Sequence, residues 1–417
     1  MNTTVKNLAI QAKKAAALMA TATTEQKNRA LQALTEHLQK AHSEILQANW
    51  QDLQLAKESG LSDALLERLS LENRLPGILH DIHHIVQLPD PVGELLEERT
   101  LPNQLQIAKC RTPIGVLGVI YESRPNVTLD ISALTIKSGN SVILRGGKET
   151  SQTNQVLVGI IQNALAVAEL PREAVQLMLQ TDRLAIQELL QLHEHIDLIV
   201  PRGGASLQQF CREHSTIPLM TGGIGICHLF VDESADLKRS LEVILNAKTQ
   251  RCTVCNALDT LLVHTAIAPT FIPEVIKRLS LQGVSFRLDP QAAKWTQDTS
   301  CQLAKPGDWD TEWLSLVLGI KIVKNISEVL EHIALHSTGH SDGILTESSQ
   351  NGELFIRSVD SAAVYVNAST RFTDGGEFGM GAEVAVSTQK VHARGPVGLK
   401  ELTSYKWIIR GNYQVRN

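Results

Sequence analysis

The chain has 417 residues, 43% of them hydrophobic and 20% charged, with a formal net charge of −5. That length holds two or three domains around a large core, and the acidic balance excludes the basic surface that nucleic-acid binding needs. Six cysteines in so long a chain make no disulfide scaffold and fit a reducing, cytoplasmic setting.

Lys6, Lys13 and Lys14 are followed too soon by Glu25 and Glu36 for a targeting segment. No apolar run approaches the ~20 residues that span a bilayer. Residues 1 to about 90 carry apolar side chains at helical spacing (Leu8, Ala12, Ala15, Ala16; Leu31, Leu34, Leu38, Ile45), with Ser62 and Ser70 as expected helix caps. Composition then shifts. Leu105–Cys110 alternates, Val116–Tyr121 is a continuous apolar strand, and Leu129–Lys137 is again helical. Strands at Ser141–Leu144, Val175–Met178 and Leu198–Val200 continue a strand–helix alternation, the mark of a parallel sheet with crossover helices. Ligands bind such sheets at the C-terminal ends of the strands. There lie Arg124-Pro125-Asn126, Arg145-Gly146-Gly147-Lys148 and Gly203-Gly204. These glycine pairs are not the G-x-G-x-x-G fingerprint and serve equally as turn residues or as a ligand loop. Asn126 is likewise a common turn residue.

Cys227–Asp232 is a strand that opens a second domain, followed by a helix over Leu237–Ala247 and a strand over Thr260–Val263. The polar loop between them holds Cys252 and Cys255. As C-x-x-C they suit a redox pair or half a zinc site, but Cys110, Cys211, Cys227 and Cys301 are isolated, so the other zinc ligands are missing. Lys248 and Arg251 are near enough in sequence to favour a thiolate. Further on, Val284–Leu288 is a strand and Glu312 lies in a turn before the next one. His336 and His340 are four apart, yet Gly339 between them breaks the helix a zinc pair would need. The strand at Val364–Val366 runs towards the glycine-rich loop Gly375–Glu383. Leu402–Arg410 alternates as an edge strand suited to pairing across a dimer.

The run Asn246-Ala247-Lys248-Thr249-Gln250-Arg251-Cys252-Thr253-Val254-Cys255-Asn256, followed by Thr260-Leu261-Leu262-Val263, resembles the catalytic-cysteine segment of the aldehyde dehydrogenase superfamily. It is closer still to that of the gamma-glutamyl phosphate reductases, or glutamate-5-semialdehyde dehydrogenases, whose signature also resembles His336-Ser337-Thr338-Gly339-His340-Ser341-Asp342. The resemblance implies an α/β aldehyde dehydrogenase-like fold with two Rossmann-like domains and a small β oligomerisation element. The cofactor domain is then 1–100 and 122–226 with part of 365–385, the catalytic domain 227–364, and the oligomerisation strands 101–121 and 386–417. Cys255 is the implied nucleophile, with Cys252 incidental, and Asn126 the oxyanion donor. Glu312 matches the carboxylate that holds the nicotinamide ribose, and Gly203 and Gly204 belong to the dinucleotide loop. Arg145 and Lys148 stand where the superfamily has a Lys and a Glu on the adenosine ribose; two cations suit a 2′-phosphate, hence NADPH. Arg124 and Arg371 are candidates for the substrate phosphate or α-carboxylate, unassigned between them, and His336 and His340 are further substrate candidates; no metal is implied.

No carboxylate lies between Met220 and Cys227, where hydrolytic relatives carry a water-activating Glu. The implied reaction is phosphorylating: reduction of L-glutamyl 5-phosphate to glutamate 5-semialdehyde in proline biosynthesis. A hydrolytic NAD(P)-dependent semialdehyde dehydrogenase is the alternative. The implied partners are the small-molecule substrate, a functional link to glutamate 5-kinase and a second copy of the chain in a homodimer or homotetramer, with neither nucleic acid nor membrane.

Overall fold

The computed structural model describes residues 4–122, 124–180, 182–222 and 224–416. They divide into two compact units: Met1–Gly222 with Gly379–Ala385 and Pro396–Asn417, and Gly223–Phe378 with Val386–Gly395.

The first unit begins with α1 (Val5–Met19), α2 (Thr24–Lys40), α3 (His42–Glu58), α4 (Asp63–Leu69) and α5 (Leu75–Gln87). Thr23 and Gln26 form a reciprocal capping box on α2, and Ser62 stands at the cap position of α4. Ser70 does not start a helix. A turn intervenes and α5 opens at Leu75, where Pro76 in the first turn loses no intrahelical hydrogen bond.

β1 (Leu95–Thr100), β2 (Gln106–Pro113) and the C-terminal strand Thr403–Arg410 make a three-stranded antiparallel sheet with β2 in the centre. β3 (Val116–Tyr121), α6 (Asn126–Lys137), β4 (Ser141–Arg145), α7 (Ser151–Val167), β5 (Val175–Leu177), α8 (Arg183–Gln191), β6 (Leu198–Arg202) and α9 (Ala205–His214) then form a parallel sheet in the order β5-β4-β3-β6. The expected oligomerisation strands 101–121 are thus split, because β3 belongs to the parallel sheet. Every residue of β3 is buried, as a central strand covered on both faces requires, whereas β1 is exposed throughout. Val116, Ile120, Ile143 and Ile199 pack against Leu8 and Ala12 of α1. Lys137, at the last position of α6, donates to Asn28 Oδ1 (2.7 Å) and Val86 O (2.9 Å) and so anchors the helix that begins at Asn126.

The second unit holds β7 (Cys227–Val231), α10 (Leu237–Thr249), β8 (Leu258–His264), α11 (Ala268–Ser280), β9 (Ser285–Leu288), β10 (Cys301–Leu303), β11 (Val317–Val323), α12 (Ile326–His336), β12 (Ser341–Leu345), α13 (Ser349–Ser358) and β13 (Ala363–Val366). Its seven strands are parallel in the order β10-β9-β11-β8-β7-β12-β13. Leu229, Val231, Leu261, Val263 and Ile320 on the central strands pack against Ile244 of α10 and Phe271, Ile272 and Val275 of α11. The segments entering β7, β8, β11 and β12 all lie at one edge of this sheet, where the strands begin. No helix among the described residues is long and apolar enough to cross a membrane.

Candidate active site

Cys255 lies in the loop between α10 and β8, half-buried. Its carbonyl rests on Gly225, just ahead of β7: a Cβ built there would stand 1.6 Å from Cys255 O. Only glycine lets two backbones approach so closely. Gly225 N–H donates to Glu312 Oε1 (2.9 Å), and the buried Cys227 thiol donates to the same Cys255 carbonyl (3.2 Å). The next residue, Asn256, locks the loop from the other side. Its Nδ2 donates to Thr373 O (3.0 Å) and Arg371 O (3.3 Å), and its own carbonyl accepts from Thr370 Oγ1 (2.7 Å). Asn256 Oδ1 accepts from Arg371 Nη1, while Arg371 Nε donates to Gln250 Oε1 (3.0 Å).

Lys248 does not face the thiol, contrary to the expectation from its place in sequence. It is fully buried, donates to Leu258 O (2.8 Å) and stands 3.7 Å from Asp259 Oδ1. A charged amine at the end of α10 had to find polar partners under β8 once it was inside the core. Burial pushes its pKa down and pushes the Asp259 carboxyl up to about 6, with Lys248 pulling the latter back. The cation brought to the cysteine loop is Arg371 instead.

The segment around His340 forms the framework behind this loop. Asp342, fully buried on β12, accepts at Oδ1 from His228 N and His228 Nδ1 (2.9 Å each), and at Oδ2 from Ser337 Oγ (2.6 Å) and Ser361 Oγ (2.5 Å). Burial alone would raise its carboxyl, yet these donors hold it below the usual range. Thr338 Oγ1 accepts from Ile226 N (3.0 Å), so the segment fixes both Ile226 and His228 on either side of Cys227. His340, one of the expected substrate candidates, lies within this framework. The ring is fully buried, bonded through Nδ1 to Ser341 Oγ (2.8 Å) and 4.0 Å from the Cys227 thiol. α12 ends at His336, with Ser337 already extended and Gly339 following at φ +71°; His336 bonds Asp310 Oδ1 (2.7 Å) and stacks obliquely on His332. Through Cys227, whose thiol bonds the Cys255 carbonyl, His340 stands next to the nucleophile loop. Among the described residues no group of three or more metal-ligating side chains is gathered.

In the first unit, Asn126 opens α6, half-buried, and its Nδ2 donates to Asp130 Oδ2 (2.9 Å), one helical turn on. Burial pushes the Asp130 carboxyl up to about 7, with Asn126 drawing it down. Arg124 is half-buried in the turn before α6. At the end of β4 the two expected ribose-phosphate cations differ. Lys148 is exposed, whereas Arg145 is 8% exposed, its charge disfavoured by burial and offset by Glu149, Glu122 and Asp182. Gly204 caps α9, and its N–H donates to Glu122 Oε2 (3.1 Å). A Cβ on Gly203 would meet the same carboxylate at 2.4 Å. A small cavity lined by Gly146, Gly147, Leu177 and Met178 opens at the ends of β4 and β5.

Sequence reasoning missed Gly225, Asn256, Asp130 and Asp342. Only Asp130 carried a local signal, an i, i+4 spacing to Asn126 on one helix. The others act through contacts distant in sequence.

Residues 2–293 match the aldehyde dehydrogenase family. Over its full length the chain is similar to the gamma-glutamyl phosphate reductase of Vibrio parahaemolyticus, with 53% identity covering 99% of each chain. The enzyme of the same name from Pasteurella multocida is 50% identical over the whole of both chains. The crystal structure of the Thermotoga maritima gamma-glutamyl phosphate reductase superposes with a TM-score of 0.96 at 45% identity, covering 99% of this chain and 100% of that one. The chain belongs to the aldehyde dehydrogenase family and, within it, to the gamma-glutamyl phosphate reductases.

Proposed function

We propose that the chain reduces L-glutamyl 5-phosphate to L-glutamate 5-semialdehyde and phosphate with NADPH, a step of proline biosynthesis, through a thioester on Cys255. The names of its full-length relatives support this reading. The observation that carries it is a half-buried cysteine loop in which the nearby carboxylates are already engaged. Glu312 accepts from Gly225, and Asp259 is held by Lys248 and by Trp313 N–H (3.2 Å). The segment from Met220 to Cys227 and the cysteine loop over residues 250–256 carry no carboxylate, which favours a thioester resolved by phosphate or hydride over one resolved by water.

Cys255 Sγ, as thiolate, attacks the acyl carbon; the C–S bond forms, the C–O bond to phosphorus breaks, and phosphate leaves. By the family resemblance Asn126, which spends one amide hydrogen on Asp130, is the oxyanion donor, a contact worth roughly 3 kcal/mol. Residues that fit a nicotinamide dinucleotide are present in the first unit. Exposed Lys148 suits a 2′-phosphate, and the turn at Gly203-Gly204 opens α9, although its Gly204 N–H is bonded to Glu122 Oε2. When bound, the cofactor supplies the hydride that reduces the thioester. Asn126 then holds the thiohemiacetal oxyanion until it collapses to aldehyde and thiolate.

The test generates glutamyl phosphate in place from glutamate and ATP with a glutamate 5-kinase and follows NADPH oxidation. Oxidation that requires kinase, ATP and this chain together is the expected result; oxidation independent of ATP overturns the reading.

A further inference from the structure

Arg371 sits in a short 3-10 turn, Thr370–Phe372, which is stitched to the nucleophile loop at Asn256. Its guanidinium is held at two points on that loop, by Gln250 before Cys255 and by Asn256 after it. Both anchors are neutral oxygens. Among the described residues no carboxylate lies within ion-pair distance of Arg371; Asp374 acts on it from further off and spends Oδ1 on Gly376 N–H (2.9 Å). Burial disfavours the Arg371 charge, and the neighbouring Arg251, exposed on the cysteine loop, repels it. The charge of Arg371 is therefore held at an electrostatic cost that Asp374 only partly offsets. A dianion removes that cost. The anchors use two of the five guanidinium N–H groups, and the planar fork matches the spacing of phosphate oxygens.

We propose that Arg371, with Arg251 beside it, is the subsite for the phosphoryl leaving group of the acyl phosphate. The assignment rests on the function proposed above and specifies which group of the substrate lies where. The acyl carbon that meets Cys255 Sγ is one oxygen away from phosphorus, so the phosphoryl group must fall among the residues flanking the cysteine. As Sγ bonds to carbon, the C–O electron pair passes to the phosphate, which leaves as the trianion and takes one proton from water. Charge therefore grows on the phosphoryl oxygens in the transition state, and fixed guanidinium donors stabilise it there more than in the ground state. Because the anchors are neutral and the turn is bonded to the loop, the fork is oriented before substrate arrives.

The test runs the reaction backwards with glutamate 5-semialdehyde, NADP⁺ and inorganic phosphate, on the full-length wild type and on R371K, R371A and R251A. R371A should raise the KM for phosphate about tenfold or more, the loss expected of charge-assisted hydrogen bonds, and should leave the KM for semialdehyde and NADP⁺ within about threefold. R371K should fall between R371A and wild type. R251A, which disturbs no anchor, should raise the phosphate KM by a smaller factor and keeps the test valid if R371A does not fold. An unchanged phosphate KM overturns the assignment. With it, a raised semialdehyde KM would place the α-carboxylate on Arg371, whereas a shifted pH profile of Cys255 alkylation would make Arg371 a thiolate stabiliser. Wild type that turns over without phosphate refutes the function itself rather than the subsite.

Discussion

Gly225→Ala tests whether the nucleophile loop is held by the backbone contact described above. The added methyl would lie 1.6 Å from Cys255 O, 2.5 Å from Cys255 C and 3.0 Å from Cys255 Cα, against the 3.4–4 Å of ordinary contact. None of these atoms is the flexible end of a side chain. One of the two segments must therefore shift by more than an ångström. Gly225 is held through Glu312, and its neighbour Ile226 through Thr338. The Cys255 loop is held through Asn256 and Thr370. Overpacking of this kind costs about 1–3 kcal/mol of stability, and a ~1 Å misplacement of a reacting group costs about a hundredfold in rate. The assay is NADP⁺ reduction with glutamate 5-semialdehyde and phosphate, alongside urea unfolding. Gly159→Ala in α7 is the control, since a Cβ there meets nothing within 4 Å and should stabilise by about 0.4–1 kcal/mol. Turnover by G225A within threefold of wild type, at unchanged stability, would refute the argument that Gly225 sets the position of Cys255.

Cys255→Ser should abolish turnover while Cys252→Ser keeps most of it, and iodoacetamide labelling followed by peptide mapping should find Cys255 first; equal loss in both variants would point to a working cysteine pair. Lys148→Glu should weaken NADPH binding by roughly 1.5–3 kcal/mol, one charge-assisted contact, and narrow the NADPH-to-NADH preference; an unchanged ratio of kcat/KM values would remove Lys148 from the cofactor site. Burial, then the neighbouring His228, Lys321 and His336, holds the pKa of His332 down at about 2, against about 6.5 in an unfolded chain. The unfolded state therefore binds the proton first, and stability is lost as pH falls below 6.5, by about 1.4 kcal/mol per pH unit from this group. His332→Gln should flatten urea stability between pH 6 and pH 4 by about that slope; an unaltered slope would show that His332 stays ionisable in the fold.

How much of this was legible in the sequence depends on the range of the contacts. Buried strands such as Val116–Tyr121 and Leu258–His264 announce themselves through runs of apolar residues, and the helix before Cys255 through its periodicity. The helix that carries His336 ends at that residue, with Ser337 already extended, so His336 and His340 share no helix face. The site was legible only where a motif is local. Lys248 lies seven residues from Cys255 in sequence, yet it points into the core, because the helix turn that carries it faces β8. Arg371 reaches the same loop from more than a hundred residues away, through a turn whose closure no local pattern announces. His340 and Asp342 are both buried in the fold, and burial demands partners, which Ser341, His228, Ser337 and Ser361 supply across the chain.

The phosphate dependence of aldehyde oxidation tests the central claim most directly. The measurement follows NADP⁺ reduction by wild type with glutamate 5-semialdehyde in buffer free of phosphate and arsenate, then after adding either anion. On the proposed reading, with Glu312 and Asp259 engaged and no carboxylate from Met220 to Cys227, the acyl-enzyme should stall after a single turnover, and steady reduction should begin only when phosphate, or arsenate in its place, is added. Steady turnover without either anion would contradict the account. It would mean that a base, such as Glu312 released from Gly225 or Glu377 on the glycine-rich loop, delivers water to the thioester.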